Sequence, residues 1–212
     1  RAAYSRGVSL IKLKILLNDA RGKKILVLNF PHNPSGYSLT KVEAQEIITM
    51  IREAAEIKDL VVICDDAYAG FCYEPEIYSK SLFDELVGGS LIAIKVDGAS
   101  KELYGWGLRV GFITFGVTGE ILEDKAAGLI RATISNVSLL SQNLILKSLC
   151  SVTLKDEQQK MFLILKKRYD SVKEVLGGKY PYFTVLPFNS GYFFCLRLKK
   201  PVAEEVRQIL LT

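Results

Sequence analysis

A primary amine and a guanidinium bracket a glycine-bearing stretch, SKELYGWGLRVG (100–111). Lys101 directly follows a small-residue turn, and Arg109 closes the run of glycines. Three further polar groups stand just past apolar runs: Asn33 in PHNPSG (31–36), and Asp65 and Tyr68 in DDAY (65–68). The amine can condense with a carbonyl. The guanidinium can hold a phosphate through two parallel N–H donors. The carboxylate can keep a ring nitrogen protonated, and the amide and phenol can donate to a ring oxygen. An amide, a carboxylate, a phenol, an amine and a guanidinium together suit a flat, anionic, carbonyl-bearing cofactor. A lysine in a desolvated, cation-rich pocket has its charged form disfavoured, which frees it as nucleophile and base.

These groups need elements that bring them to one place. KKILVLNF (23–30), LVVIC (60–64) and SLIAIKV (90–96) are short continuous apolar runs, the pattern of strands buried on both faces. TKVE (40–43) is a capping box, with Thr40 accepting from the Glu43 amide and Glu43 reaching back. The helix it opens carries Ile47, Ile51 and Ala54 on one face and runs out near 57–59. Strand, helix, strand implies a parallel sheet flanked by helices. Ligands of such sheets sit outside the carboxyl ends of the strands, where all five polar groups fall. VGFITFG (110–116) reads as a fourth strand, antiparallel to the third because only a short loop separates them. The pattern is helical from Glu120 to about Leu176, in at least two pieces. FTVLPFNSGYFFCLRL (183–198) returns to strand character, interrupted by a Pro-Phe-Asn-Ser-Gly turn. That change divides the chain into a large domain over 1–150 and the start of a smaller α+β domain over 151–212. The chain begins with Arg1 and stops within a helical pattern, so it reads as an internal piece of a longer protein.

The motifs NPSG (33–36), DDAY (65–68), SKELYGWGLRVG (100–111) and IRATISN (130–136) occur in the order found in the class I/II aminotransferases, and the chain resembles that family along essentially its whole length. The resemblance implies the α/β fold of the type I pyridoxal-phosphate-dependent transferases, with a mostly parallel sheet. It implies that Lys101 forms an internal aldimine with pyridoxal 5'-phosphate and shuttles the substrate α-proton. Asp65 would pair with the pyridinium nitrogen, Asn33 and Tyr68 would bond the ring 3′-oxygen, and Arg109 would bind the phosphate. Ser135 would touch the phosphate of a neighbouring subunit in a homodimer with shared active sites. Arg131 falls where aspartate-specific members bind a distal carboxylate. The implied activity moves an amino group between an L-amino acid and a 2-oxo acid. A carbon–sulfur β-lyase on the same scaffold and an aminotransferase-like effector domain of a transcription regulator stay open beside it. The family's hydroxyl residue three positions before the lysine is Gly98 here. Its N-terminal glycine loop, ring-stacking aromatic and C-terminal carboxylate-gripping arginine have no counterpart, and Arg197 is not a stand-in.

Bulk properties narrow the alternatives. With 49% apolar and 24% charged residues among 212, the chain can bury a sizeable core. A net charge of +5 is scattered, without the aromatic-interleaved basic run of nucleic-acid binders. Four cysteines without a CxxC pair and a single histidine give no metal-ligand spacing. Cys64 and Cys195 read as buried thiols, which suits a reducing, cytoplasmic setting. No apolar stretch has membrane-spanning length. GWGLRVG lacks the spacing and following helix of a dinucleotide loop. His32 reads as a satisfied loop histidine, Asp66 as solvated or behind the site, Tyr104 and Trp106 as packing under the glycine loop, and Lys199–Lys200 as an exposed charge pair.

Overall fold

A computed structural model describes residues 9–19, 22–117, 119–200 and 202–211. The elements in chain order are α1 (Leu10–Asn18), β1 (Lys24–Asn29), α2 (Lys41–Ala55), β2 (Leu60–Asp65), α3 (Phe83–Leu86), β3 (Ile92–Gly98) and β4 (Gly111–Phe115). They continue as α4 (Glu120–Thr133), α5 (Leu139–Leu149), α6 (Leu154–Leu176), β5 (Phe183–Val185), β6 (Leu196–Leu198) and α7 (Ala203–Leu211). A 3-10 turn, Trp106–Leu108, precedes β4.

The main sheet runs in the order β1-β2-β3-β4. The first three strands are parallel and β4 is antiparallel to β3, as the short connection requires. Asn29 pairs with Asp65 and Asp65 with Val96, so the three carboxyl ends lie close to flush. β5 and β6 form a separate antiparallel pair.

The crossover helix α2 starts on the expected capping box. The Thr40 hydroxyl accepts from the Glu43 amide at 3.2 Å, and the Glu43 carboxylate accepts from the Thr40 amide at 3.0 Å. Ala44, Ile47, Ile48, Ile51 and Ala54 are buried against Leu28, Val62, Cys64 and Ala93 of the sheet. Each fully buried isoleucine there contributes about 1.5–3 kcal/mol.

Only this face of the sheet is uniformly covered. On β1, Ile25 and Val27 point away from α2 and are 71% and 59% exposed. The expectation of strands buried on both faces therefore fails at β1, because no described element covers that side. An apolar run reports what a strand can bury, not what packs on it.

The helical stretch 120–176 comprises three helices. Ser138 starts α5 by accepting from the Ser141 amide at 3.5 Å. The long helix α6 packs Phe162, Leu165, Tyr169 and Val172 onto Phe71 and Tyr73 of the loop after β2, and onto Phe188. Among the described residues, no helix is long and apolar enough to cross a membrane.

Candidate functional site

At the carboxyl rim, parallel pairing brings Asn29 beside Asp65. The Asn29 amide donates from Nδ2 to Asp65 Oδ2 at 2.6 Å, and its Oδ1 accepts from the Asn33 amide at 3.2 Å. Asp65 Oδ1 accepts from the Ala67 amide at 3.2 Å. Both oxygens of Asp65 are thus occupied, which holds the carboxylate in one orientation. Asn33 donates from Nδ2 to the Tyr68 hydroxyl at 3.4 Å. His32 pairs its Nδ1 with Ser35 Oγ at 2.7 Å, a satisfied loop histidine as expected.

Of the two readings of Asp66, solvated or behind the site, burial excludes the first: its amide joins the Val96 carbonyl at 2.9 Å and draws the residue into the sheet end. Its Oδ2 has no hydrogen-bond partner among the described residues. Burial pushes its carboxyl up to about 6, against the lowering influence of the Ser81 hydroxyl and Lys95.

Lys101 follows β3 through a tight return. The Ala99 amide donates to the Val110 carbonyl at 3.1 Å, and the Gly105 amide donates to the Ala99 carbonyl at 2.9 Å. A Cβ at Gly98 would stand 2.9 Å from the Val110 carbonyl oxygen. A hydroxyl residue at 98 therefore does not fit while β4 lies this close. The Lys101 ammonium sits 5.5 Å from the Tyr68 ring centroid and 5.9 Å from that of Tyr192.

The hydrogen bond to Tyr192 raises the Lys101 pKa above the ordinary lysine range, although partial burial pulls the other way. Desolvation disfavours the charged lysine in the expected direction, but the tyrosine hydroxyl outweighs it, so the net shift is upward. The rings of Tyr68 and Tyr192 stand next to it.

Arg109 lies beyond the 3-10 turn in the left-handed region (φ 55°), exposed, with Nη1 3.5 Å from the Trp106 carbonyl. It hydrogen-bonds none of the other four candidates. Arg131, in the last turn of α4, donates to the Ser135 hydroxyl at 3.0 Å.

Sequence reasoning missed the segment 188–195, which clamps the NPSG turn. The Asn189 and Ser190 amides donate to the Gly36 carbonyl at 2.9 and 3.0 Å. The Asn189 side chain accepts from the Ser38 amide at 2.7 Å and donates to the Ser38 carbonyl at 2.9 Å. Gly36 has φ +69°, and a Cβ there would stand 1.9 Å from the Phe193 carbonyl oxygen, so only glycine fits. The clamp sets the rings of Tyr192 and Phe193 edge-on to Tyr68, with centroids 5.5 and 5.1 Å away. The one signal for it was an Asn-Ser-Gly turn flanked by aromatic residues.

Two further expectations change. Cys195 lies outside β6, half-buried, with its thiol donating to the Pro34 carbonyl at 3.3 Å. The clamp, not the strand, places it. Cys64 is buried in β2, and desolvation pushes its thiol up to about 12. Trp106 is 73% exposed and does not pack under the glycine loop. With Tyr104 it lines a cavity of about 580 Å³ that opens beside Lys101, between the 3-10 turn, α6 and residues 188–194.

The chain matches the family model for aminotransferase class I and II over residues 3–212. It is 25% identical over 178 residues to an aspartate aminotransferase of Sulfurisphaera tokodaii, covering 82% of this chain and 41% of that protein. It is 28% identical over 170 residues to an aspartate aminotransferase of Sulfolobus acidocaldarius, covering 76% of this chain and 39% of that protein. The chain thus spans about two fifths of the length of these curated relatives. The fold superposes on an aminotransferase from Anaerococcus prevotii with TM-score 0.77 at 22% identity, covering 98% of this chain and 53% of that one. It superposes on an aspartate aminotransferase from Thermotoga maritima with TM-score 0.69 at 19% identity, covering 96% and 49%.

Proposed function

From the premise that this chain belongs to the class I and II aminotransferases, we propose that the protein it represents moves an amino group between an L-amino acid and a 2-oxo acid, with pyridoxal phosphate as cofactor. One observation carries this reading. Lys101 stands 5.5 Å from the ring of Tyr68, whose hydroxyl Asn33 contacts, at the same sheet rim as Asp65.

The residues present fit the cofactor. A carboxylate fixed by two hydrogen bonds, an amide–phenol pair and a primary amine are the complement of a pyridine ring bearing an oxygen and an aldehyde. When bound, pyridoxal phosphate supplies an electron sink for the pair left behind as the α-proton departs.

The protein supplies the rest. Lys101 would hold the cofactor's aldehyde carbon through Nζ and, once displaced from it by the substrate amine, would as a free amine accept the α-proton and return it. Asp65, kept from rotating by Asn29, would face the ring nitrogen. Asn33 and Tyr68 would donate to the ring oxygen. Arg109 would take the phosphate, a task that Gly98 does not share.

A homodimer with shared active sites belongs to the same reading. Ile121, Leu139 and Leu140 on α4 and α5 are 73%, 73% and 69% exposed, an apolar surface suited to a second copy. The four free thiols suit a reducing, cytoplasmic setting.

Borohydride reduction in the presence of pyridoxal phosphate, followed by peptide mass spectrometry, tests the assignment. The label is expected on Lys101 and absent in Lys101→Ala. A label spread evenly over surface lysines, unchanged in that variant, would overturn it.

A further inference from the structure

The cavity beside Lys101 is walled by rings. Tyr169 and Phe188 meet edge to face with centroids 5.6 Å apart, and Phe188 and Phe194 pack at 5.6 Å. The Tyr169 hydroxyl donates to the Glu74 carboxylate, which holds that ring in place. Rings fixed by one another form a surface that costs little to organise when a ligand arrives. At about 580 Å³ the space lies within the range of small-molecule sites, roughly 300–1,000 Å³.

Its charge is as informative as its shape. Among the described residues, no carboxylate lines it, and the cations that do are Lys101 and Arg168. Arg168 has no ion-pair partner among the described residues. Arg131, the position that would serve a distal carboxylate, is on α4 and does not line the cavity. An acidic side chain placed here would lose water to ring edges and hydrocarbon, a costly exchange for a charge. An aromatic or large apolar side chain would replace water with ring contacts.

We infer that this cavity is the substrate pocket for amino acids with an aromatic or bulky apolar side chain, with Arg168 at its wall taking the carboxylate. The inference rests on the amino-transfer reading for the identity of the ligand as an amino acid. The physical claim is that one site recognises a ring and a carboxylate together.

Trp106 is the single tryptophan of the chain and lines the cavity, so its emission reports occupancy. The protein, without added cofactor, is titrated with 3-phenylpropionate, which carries a ring and a carboxylate but no amine, and with succinate, which carries two carboxylates and no ring. A saturable change in Trp106 emission is expected for 3-phenylpropionate, with succinate binding at least tenfold weaker. Arg168→Met should weaken 3-phenylpropionate at least fivefold and leave the neutral ring probe benzyl alcohol unchanged. Val172→Phe, which fills the cavity, should weaken both ring probes, and an unchanged far-UV melt shows that the variant is folded. Equal affinity for succinate, or ring binding that ignores both substitutions, would overturn the inference. Absence of ring binding with Lys101 still labelled by pyridoxal phosphate would sink this inference alone. Ring binding without Lys101 labelling would sink only the transfer chemistry.

Discussion

Asn29 and Asp65 are register partners at the ends of adjacent parallel strands, and their side chains meet at 2.6 Å. The same asparagine accepts from the Asn33 amide, so one side chain ties the carboxylate to the loop that carries Asn33, the partner of Tyr68. Asn29→Ala would leave Asp65 Oδ2 and the Asn33 amide without their partners, costing about 1–3 kcal/mol. For a chain of this size that lowers Tm by roughly 2–12 °C. Pyridoxal-phosphate affinity should fall as well, because Asp65 is free to turn, while the borohydride label stays on Lys101. An unchanged melt and an unchanged cofactor titration would show that Asp65 does not depend on this contact.

The Tyr192 hydroxyl favours the charged form of Lys101. It contributes most to the raised lysine pKa, with burial opposing and Tyr68 adding to the rise. A raised pKa means less free amine at a given pH, hence slower condensation with an aldehyde. Tyr192→Phe keeps the ring that packs edge-on to Tyr68 at 5.5 Å and to Phe71 at 5.8 Å, but removes the hydroxyl. The pH profile for the initial rate of adduct formation with pyridoxal phosphate should move to lower pH, and the rate at pH 7 should rise severalfold. A profile that stays in place would show that the phenol does not hold the ammonium.

Local features of the fold were legible because their causes are local. Thr40 and Glu43 cap α2 from three residues apart, and the link between β3 and β4, without an α-helix of its own, favours an antiparallel return. Asn33, Asp65, Tyr68 and Lys101 were recognisable as types placed after apolar strands. The clamp was not legible, because Asn189 reaches Ser38 across 151 positions of chain, and no periodicity reports such a pairing. Gly36 was readable as a turn residue, yet what demands glycine is the distant Phe193 carbonyl. The sign of the Lys101 shift failed for the same reason, since its decisive neighbour, Tyr192, arrives with that clamp. Exposure of Ile25 and Val27 escaped detection because hydropathy describes a strand and not its cover.

Asp66 carries a penalty that pH can reveal. Burial raises its carboxyl from the ordinary aspartate value near 4 to about 6, with Asp97 and Asp65 adding to the rise while Ser81 and Lys95 oppose it. Between those values the folded chain binds more protons at this site than the unfolded chain does. Stability contributed by the site is therefore full below about pH 4 and lost as pH climbs through 6. Asp66→Asn keeps an oxygen that can accept from Ser81 and removes the charge. The variant should match the parent at pH 4 and exceed it at pH 7 by on the order of 2 kcal/mol, allowing for screening by Lys95 and solvent. Urea unfolding at pH 4, 5, 6 and 7 measures the gap. A gap already present at pH 4 and constant to pH 7 would mean that the variant acts through packing, not through the buried charge.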